Sequence, residues 1–569
     1  MDEKEIKETE LWTMYQKNVD YCRMRGYFTD VDRCNNFYNG DQWEGIILDG
    51  VSPITFNFIQ PIVNYKVNKI TKSLRAINYG ADNIEGTEFR RTAKKVCDLF
   101  NQRAARVWEK DQMDAKCKKV VRQAAINSES IMYTSYDDED KNPHNEILNK
   151  LDVFYGNEQE PDIQLQPYIL AKQRMSVTDA QALAEKYGVP KEKMQYLTGD
   201  DETQDEAGTD AKYEVNNMVT ILTKFYRKDG TIHFDKAAKK LDICKDEDMG
   251  CTLYPFSHMI WMDREGTARG EGEVRTLIPN QIETNKNALR RLIATKNTAY
   301  PQKIIAKDKI TNPEAVNQIG GTIEVEGMDI DDVRKVFSST QPAQMSIDAE
   351  KMQMELIQTT RELRSASETA TGQINPEDAS GRAILAVQQA SEQPLDDQNQ
   401  NLNSMLEDMA RIWMDLWKTH NKGEGMKLED VITNPQTGEE RVEVKKISSA
   451  VLDKLKTSVK IDITPKGAYD KYAQEISLEH LAQTEQFRDT NWLEDYASLL
   501  DNDAVMPKLK IEDLIKRRKE KQQYIRMLDA RARMMQSQVQ QMMDTGQIVP
   551  QEMQQMQQPM MQPQEQPLL

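Results

Sequence analysis

The sequence predicts an α+β fold of several structural units. Short β-type segments are concentrated between about 130 and 260, and apolar residues recur at helical spacing in three long stretches after residue 272. The chain has 569 residues, which at ~100–200 residues per domain corresponds to roughly three to five units. Hydrophobic residues make up 38% of it, which is low for a globular chain. We therefore expect long amphipathic helices or burial between subunits.

The N-terminal part predicts helices on either side of an aromatic turn. Residues 1–30 place apolar side chains among charges at helical spacing, and segment 37–43 holds the turn signal Asn39-Gly40-Asp41. A helix with an apolar face follows at 59–70, and residues 86–128 predict one long helical stretch. The surface of that stretch is basic, which leaves two interpretations open: a face toward DNA or a partner, or an ordinary solvated face.

The segment from 130 to 260 predicts mainly strands. Its elements, in order, are strands at 130–136 and within 147–177, a helix at 178–187, an acidic loop at 198–212 and a strand pair at 218–234. Gly188 ends the helix. Lys228-Asp229-Gly230 is the turn signal of a hairpin between the last two strands.

Long helices separated by breaks are predicted in the second half of the chain. They lie at 273–298, 345–368 and 381–420. Strands and turns at 302–340 separate the first two helices. The second break, 369–380, contains Gly372 and Asn375-Pro376, which do not readily continue a helix. Pro394 lies inside the third helix and predicts a kink, because an interior proline removes a backbone hydrogen bond.

The C-terminal part predicts strands, then helices, then a low-complexity tail. Strand patterns occupy 426–464, and helical patterns occupy 467–545, with a basic helix at 508–533. The last ~36 residues are mostly Gln, Met and Pro with almost no charge, a composition that predicts disorder in isolation.

The overall charge and the cysteines restrict the class of protein. Lys and Arg number 75 and Asp and Glu 93, so the formal net charge is −18. Since nucleic-acid binders hold phosphate with basic surface, this balance argues against a protein that grips a duplex. Apolar runs are far shorter than the ~18–20 residues that span a bilayer, and the first residues show no secretion signal. Six cysteines without a CxxC pair predict a reducing compartment.

No sequence motif for catalysis or metal binding is present. The chain has five histidines and lacks HExxH, zinc-ligand clusters, the GxxxxGK[ST] phosphate loop and GxSxG. Acidic clusters at 137–140 and 200–206 lack EF-hand spacing, and we interpret them as solvated loops. We expect no catalytic residue, no cofactor and no bound metal. The carboxylates of a two-metal nuclease can be scattered through a sequence, so that class stays open.

Four linked segments carry a family pattern. They are Phe37 to Trp43, Pro53 to Asn68, Leu253 to Phe256 followed by Gly270 to Gln281, and Ala379 to Ala383 with Gln388-Gln389. In this order they resemble the bacteriophage portal proteins, the head-to-tail connectors of tailed double-stranded DNA phages. The resemblance covers most of residues 8–470, and residues beyond about 480 diverge.

The resemblance implies a ring-forming fold, usually of twelve subunits. By position it implies a mixed α/β wing at 1–270 and 426–466, stem helices at 271–300 and 342–368, a small clip at 301–341, a tunnel loop at 369–380, a kinked helix at 381–425 and a helical crown at 467–533. The tail at 534–569 has no clear counterpart.

The resemblance also implies two sets of site residues. The channel loop set comprises Thr369, Thr371, Gly372, Gln373, Asn375, Pro376, Glu377, Asp378 and Arg382. The basic set on the stem and clip comprises Lys286, Arg290, Arg291, Lys296, Lys303, Lys307 and Lys309. On the family interpretation, the packaging motor or a tail adaptor docks near the basic set. The alternative is that these are ordinary surface charges.

The implied function is structural and not enzymatic. Such a ring forms the channel at one capsid vertex, through which DNA is packaged and later ejected. The implied partners are further copies of the chain, double-stranded DNA, the terminase large subunit, head-tail adaptors at the clip, and the major capsid protein and scaffold at the wing, with no membrane. The implied location is the virion, after assembly in the host cytoplasm. Two alternatives stay open: a metal-dependent nuclease or hydrolase, and another phage head protein such as a scaffold or adaptor.

Overall fold

The computed structural model divides the chain into two units, Met1–Thr464 and Pro465–Leu569. The first unit is described at 7–43, 46, 52–81, 87–200, 218–299, 303–305, 310–312, 314–315, 324, 326, 337–339, 347–366, 393–421, 426–433, 440–447 and 457–464. The second is described only at Met527, Ala530, Arg531, Arg533, Met534 and Ser537, all helical. The predicted crown and C-terminal tail therefore lie almost entirely outside the described residues.

The first unit combines long helices with several antiparallel sheets. Its described helices are α1 (Glu10–Met24), α2 (Tyr27–Asn39), α3 (Ile59–Ile70), α4 (Thr87–Lys110), α5 (Met113–Asn127), α6 (Val177–Lys186), α7 (Glu273–Ala299), α8 (Ile347–Leu363) and α9 (Asp396–His420). Its described strands are β1 (Leu74–Ala81), β2 (Glu129–Asp137), β3 (Asn142–Leu148), β4 (Val153–Tyr155), β5 (Tyr168–Ser176), β6 (Met218–Lys228), β7 (Thr231–Ala237), β8 (Asp242–Asp248), β9 (Phe256–Ile260), β10 (Lys303–Ile305), β11 (Phe337–Ser339), β12 (Met426–Thr433), β13 (Glu440–Ile447) and β14 (Thr457–Thr464). The predicted α+β class is confirmed.

The strands pair in several separate sheets. The largest described sheet has the order β4-β5-β6-β7-β8, and a second has the order β3-β2-β9. The strands β1 and β14 pair along their full length, which joins an early part of the unit to its end. The pairs β10-β11 and β12-β13 are each two-stranded. The predicted hairpin is confirmed between β6 and β7, where Asp229 and Gly230 have the positive φ angles of a tight hairpin turn.

Two helices predicted as continuous are broken. The predicted helix at 1–30 is two helices, and Gly26, with φ of 74°, lies between them. The predicted stretch at 86–128 is also two helices, separated at Gln112 with φ of 50°. At the second break the carboxylate of Asp111 is buried and accepts hydrogen bonds from the backbone and side-chain N–H groups of Asn145. The helical spacing of apolar residues continues on each side of both breaks, so the spacing alone does not reveal them.

The helices of the second half largely follow the prediction. Helix α7 matches 273–298 closely, although Pro279 lies inside it. Helix α8 is shorter than 345–368 and is followed by Ser365, whose φ of 56° is incompatible with continuation. Pro394 lies in a 3₁₀ turn, Gln393–Leu395, that immediately precedes α9. The described residues thus place Pro394 at the start of a helix and not in a continuous α-helical segment; residues 381–392 are outside them.

The main core is built around α9. This helix buries Trp413 and Trp417 among apolar residues of α3, α4, α5 and α7. Trp417 stacks on Phe100 of α4 with ring centroids 5.5 Å apart. Tyr79 of β1 donates a hydrogen bond from its hydroxyl to the backbone oxygen of Ala410 at 2.9 Å. The strand β1, and through it β14, is therefore attached to the same core as α7.

Candidate functional site

The helices α7 and α8 form an antiparallel pair that is joined by two side-chain hydrogen bonds. Asn280 Nδ2 donates to Thr360 Oγ1 at 3.0 Å, and Arg291 Nη1 donates to Gln353 Oε1 at 3.2 Å. Gln353 and Thr360 are buried. A hydrogen bond between neutral groups adds only about 0.5–1.5 kcal/mol of net stability and one from a charged donor about 1.5–3 kcal/mol, but each requires a restricted geometry. The contact therefore specifies the register of the pair more than it strengthens it.

The first half of α7 is bonded to the segment that precedes α3. The side chain of Gln281 accepts from the backbone N–H of Phe58 at 3.1 Å and donates to the backbone oxygen of Phe56 at 2.9 Å. Asn285 Nδ2 donates to Gln42 Oε1 at 2.6 Å. The side chains of Gln42, Gln281 and Asn285 are buried, so these bonds are shielded from competing water.

Three of the segments that carry the family resemblance meet at this point. Gln42 belongs to segment 37–43, Gln281 ends segment 270–281, and the two bonded phenylalanines lie in segment 53–68. In the sequence these three segments are separate. In the structure Gln281 bonds directly to segment 53–68, and Asn285, four residues beyond Gln281, connects it to Gln42.

Glu273, in the first turn of α7, is a buried carboxylate held by donors from other parts of the fold. Lys66 Nζ of α3 lies 2.7 Å from Glu273 Oε1, and Trp261 Nε1 donates to Oε2 at 3.1 Å. Arg364, just after α8, places its Nε 4.0 Å from the same carboxylate. Burial lowers the pKa of the Lys66 ammonium, and Glu273 opposes that shift. One carboxylate thus joins α3, α7 and the end of α8.

Arg269, just before α7, is the centre of a second buried charge cluster. Its Nε and Nη2 donate to both oxygens of Glu158 at 2.8 to 3.1 Å, a bidentate pair. Its Nη1 donates to Glu129 Oε1 at 2.9 Å, and its Nη2 donates to the backbone oxygen of Val153 at 2.9 Å. The guanidinium therefore connects β2, β4 and the segment after β4 to the start of α7.

Glu129 is fully buried, and three basic side chains lie close to its carboxylate. Besides Arg269, Lys150 Nζ lies 3.7 Å from its Oε1 and His258 Nε2 lies 2.8 Å from its Oε2. Burial by itself would raise the pKa of this carboxyl. Arg269, then Lys150 and His258, outweigh burial and lower the pKa of Glu129 to about 2.

The depressed pKa of Glu129 predicts an acid-labile contribution to stability. Its ordinary pKa is 4.5, so the unfolded chain takes up this proton at a higher pH than the folded chain does. The contribution is complete above about pH 5 and is lost as pH falls through 4.5 toward 2; at 1.36 kcal/mol per pKa unit it amounts to about 3 kcal/mol. The urea concentration at the midpoint of unfolding should fall more steeply between pH 7 and pH 3 for the wild type than for Glu129→Gln.

A matched substitution checks that the pH dependence of the urea midpoint is caused by Glu129. Glu265 is exposed, so Glu265→Gln should keep the wild-type pH dependence. Equal slopes in the wild type and Glu129→Gln would show that the carboxylate of Glu129 has the same pKa in the folded and unfolded chains.

The predicted basic residues are only partly brought together. Lys286 and Arg290 are exposed on one face of α7, and both lie near Glu283, at 3.8 and 3.1 Å. Arg291 faces α8 instead, and Lys296 is exposed near the end of α7. Lys303 lies in β10 opposite Ser339. Lys307 and Lys309 are outside the described residues.

The predicted channel loop lies outside the described residues. This applies to Thr369, Thr371, Gly372, Gln373, Asn375, Pro376, Glu377, Asp378 and Arg382. The described chain ends on one side at Ala366, after α8, and resumes at Gln393, before α9. The assignment of this loop remains a prediction.

The buried charges at the start of α7 were missed by the sequence analysis. Arg269 and Glu273 stand in a polar stretch, 262–273, where charged residues are unremarkable. Glu129 was the more detectable case, because it directly precedes the apolar strand pattern at 130–136 and an acidic residue there requires a buried partner. The partners are distant in sequence, so no spacing rule identifies them.

The first acidic cluster lies within the described residues, whereas the second is described only at Asp200. Asp137 is exposed at the end of β2, and Asp138, Glu139 and Asp140 lie in the exposed turn that follows, as predicted for a solvated loop. Asp200 is instead half-buried and accepts from the backbone N–H of Thr220. In the part of the chain that the structure describes, no group of three His, Cys, Asp or Glu side chains could hold a metal ion. None of the described helices is long and apolar enough to cross a membrane.

Comparison with known proteins does not assign the chain to a family. No family model matches it, and no curated protein matches its sequence.

Proposed function

We propose that this chain is the subunit of a phage portal ring. In this proposal α7 and α8 are the stem helices, the β10-β11 segment belongs to the clip, and most of 1–270 with 426–464 forms the wing. The observation that carries the proposal is the junction in the first half of α7. There, three segments of the family pattern meet in a buried hydrogen-bonded cluster that connects the helix pair to the wing.

The buried charges at Arg269 and Glu273, at the start of α7, have a property that a channel wall requires. A stem helix that transmits force between a packaging motor and a capsid must not pivot where it enters the wing. Glu273 and Arg269 each connect α7 to several elements through buried charge-assisted bonds, which have restricted geometry. Removal of such a bond leaves an uncompensated buried charge, so pivoting at this point is energetically unfavourable.

The net charge supports a conduit for DNA. Phosphate neutralisation by basic residues adds affinity through counterion release, and tight binding would slow a duplex that has to slide. A subunit with a net charge of −18, repeated around a ring, favours repulsion and a centred duplex. In the proposal DNA passes through this channel under the action of the terminase motor, the clip binds head-tail adaptors, and the wing contacts the capsid.

The proposal predicts that the purified chain forms large closed rings. Light scattering should give a mass many times the 65.6 kDa of one chain, and averaged negative-stain images should show rings with one subunit number, about twelve. Closed rings are expected because a heterologous interface that returns on itself limits growth. A stable monomer at micromolar concentration, or open filaments of variable length, would contradict the proposed function.

A further inference from the structure

The helix α8 covers a mixed stripe, in which Ile357 packs against the main core beside buried polar residues, and it leaves other apolar side chains exposed. Gln353 and Thr360, on the side facing α7, are only 5% and 2% exposed. Met352, Met354 and Leu363, on the other sides, are 54%, 63% and 76% exposed. A surface helix normally buries its apolar stripe and leaves polar side chains in water. Within the described chain, α8 therefore leaves apolar side chains without a covering surface.

The outward faces of the pair carry opposite charge. On α7, Glu283, Lys286 and Arg290 lie three or four residues apart, two cations to one anion, which is a net +1. On α8, the exposed residues Lys351, Glu355 and Glu362 include one cation and two anions, which is a net −1. Gln358 lies between the two glutamates and donates to Glu362 Oε1 at 3.0 Å.

We propose that the outward face of α8 in one copy packs against the outward face of α7 in the next copy of this chain. The inference rests on the proposed ring and names the surfaces that close it. The exposed side chains Met352 and Leu363 would be covered by the neighbour, and Glu355 and Glu362 would face its Lys286 and Arg290. Because the two faces differ, the contact is heterologous, the type of interface that generates rings.

The chemistry of the α8 face favours a protein partner over a nucleic acid. Its two glutamates repel phosphate, and its methionines are unbranched, flexible apolar groups that pack readily against protein surfaces. The complementary α7 face is present on every copy, so a second copy supplies both the cations and a surface that buries the apolar side chains of α8. Opposite charges across an interface also fix its register.

The test reverses the charge of each face in separate full-length variants. One variant carries Glu355→Lys and Glu362→Lys, and the other carries Lys286→Glu and Arg290→Glu. At ~0.1 M salt, where charges within ~10 Å still interact, each variant alone should need at least about tenfold more protein to reach half-maximal ring formation than the wild type needs. An equimolar mixture of the two should assemble within about threefold of the wild type, because each reversed face then meets an opposite charge.

Matched controls carry the same charge changes elsewhere. Lys191, Lys193, Glu185 and Glu192 are exposed near α6, on neither outward face. The variants Lys191→Glu with Lys193→Glu, and Glu185→Lys with Glu192→Lys, should assemble like the wild type. Thermal unfolding followed by circular dichroism checks that every variant folds.

The possible results separate this contact from the proposed function. If the wild type forms rings and both reversed-charge variants assemble equally well, the contact is wrong and the ring proposal stands. If each variant unfolds at lower temperature and mixing restores nothing, another segment of the same chain covers α8, which also overturns the contact. A wild type that remains monomeric overturns the ring and the contact together.

Discussion

Replacement of Arg269 by alanine is expected to lower the free energy of unfolding of the first unit by about 3–5 kcal/mol. The guanidinium is buried and donates to Glu158, Glu129 and the backbone oxygen of Val153. The alanine variant leaves two carboxylates in a low-dielectric surrounding with their main partner gone. That cost greatly exceeds the small net gain usually assigned to one hydrogen bond. Urea denaturation followed by tryptophan fluorescence, at one fixed protein concentration, measures the change.

Two further substitutions test whether the loss of stability is specific to the Arg269 guanidinium. Arg264 is exposed five residues earlier, and Arg264→Ala should change the free energy by no more than about 0.5 kcal/mol. Arg269→Lys should fall between wild type and alanine, because lysine keeps the charge but cannot form the bidentate pair with Glu158. If the alanine variant is too unstable to purify, the lysine variant still provides the comparison. Equal stability of the wild type and both Arg269 variants would refute the role assigned to this cluster.

Replacement of Lys66 by methionine is expected to cost a similar amount, about 3–5 kcal/mol. Methionine matches the apolar stem of the lysine, so the loss comes mainly from Glu273, which stays buried with Trp261 as its remaining close donor. Urea denaturation under the same conditions measures the loss. The double variant Lys66→Met with Glu273→Gln should recover at least about half of it, because a glutamine is neutral and still accepts from the indole N–H.

The double-mutant cycle of Lys66 and Glu273 has its own control. Lys118 is exposed on α5, and Lys118→Met, alone or with Glu273→Gln, should show no coupling beyond about 0.5 kcal/mol. Strict additivity of Lys66→Met and Glu273→Gln would mean that the 2.7 Å contact does not contribute to stability. Since this contact joins α3 to the first turn of α7, a positive result would identify it as part of the connection between α3 and the α7-α8 pair.

The sequence and the structure agree best where a signal is local. The helix α7 and the hairpin between β6 and β7 follow from apolar periodicity and from one turn signal, and both lie within a few residues of their predicted bounds. Both helix breaks were missed. At Gln112 the break coincides with the bonding of Asp111 to Asn145 across the fold, a contact that no local pattern contains.

The site was predicted to a smaller extent. Segments 37–43 and 270–281 were identified from the sequence, but their meeting through Gln42, Asn285 and Gln281 was not. Lys286 and Arg290 were identified as basic surface, whereas Arg291 turned out to face α8. The difference is one of direction: residues next to each other on a helix point about 100° apart, and only the neighbouring helix decides which one is covered.

The sequence by itself determined the α+β class, the order of most of the helices and strands that the structure describes, and a formal net charge of −18. These properties depend on composition and on repeats of two or 3.6 residues, which short segments carry on their own. Only the tertiary structure decided that Glu129, Arg269, Lys66 and Glu273 are buried and paired, and that α8 leaves Met352, Met354 and Leu363 exposed. The burial of a charge depends on partners that are distant in sequence, and it is tolerated only where folding supplies those partners.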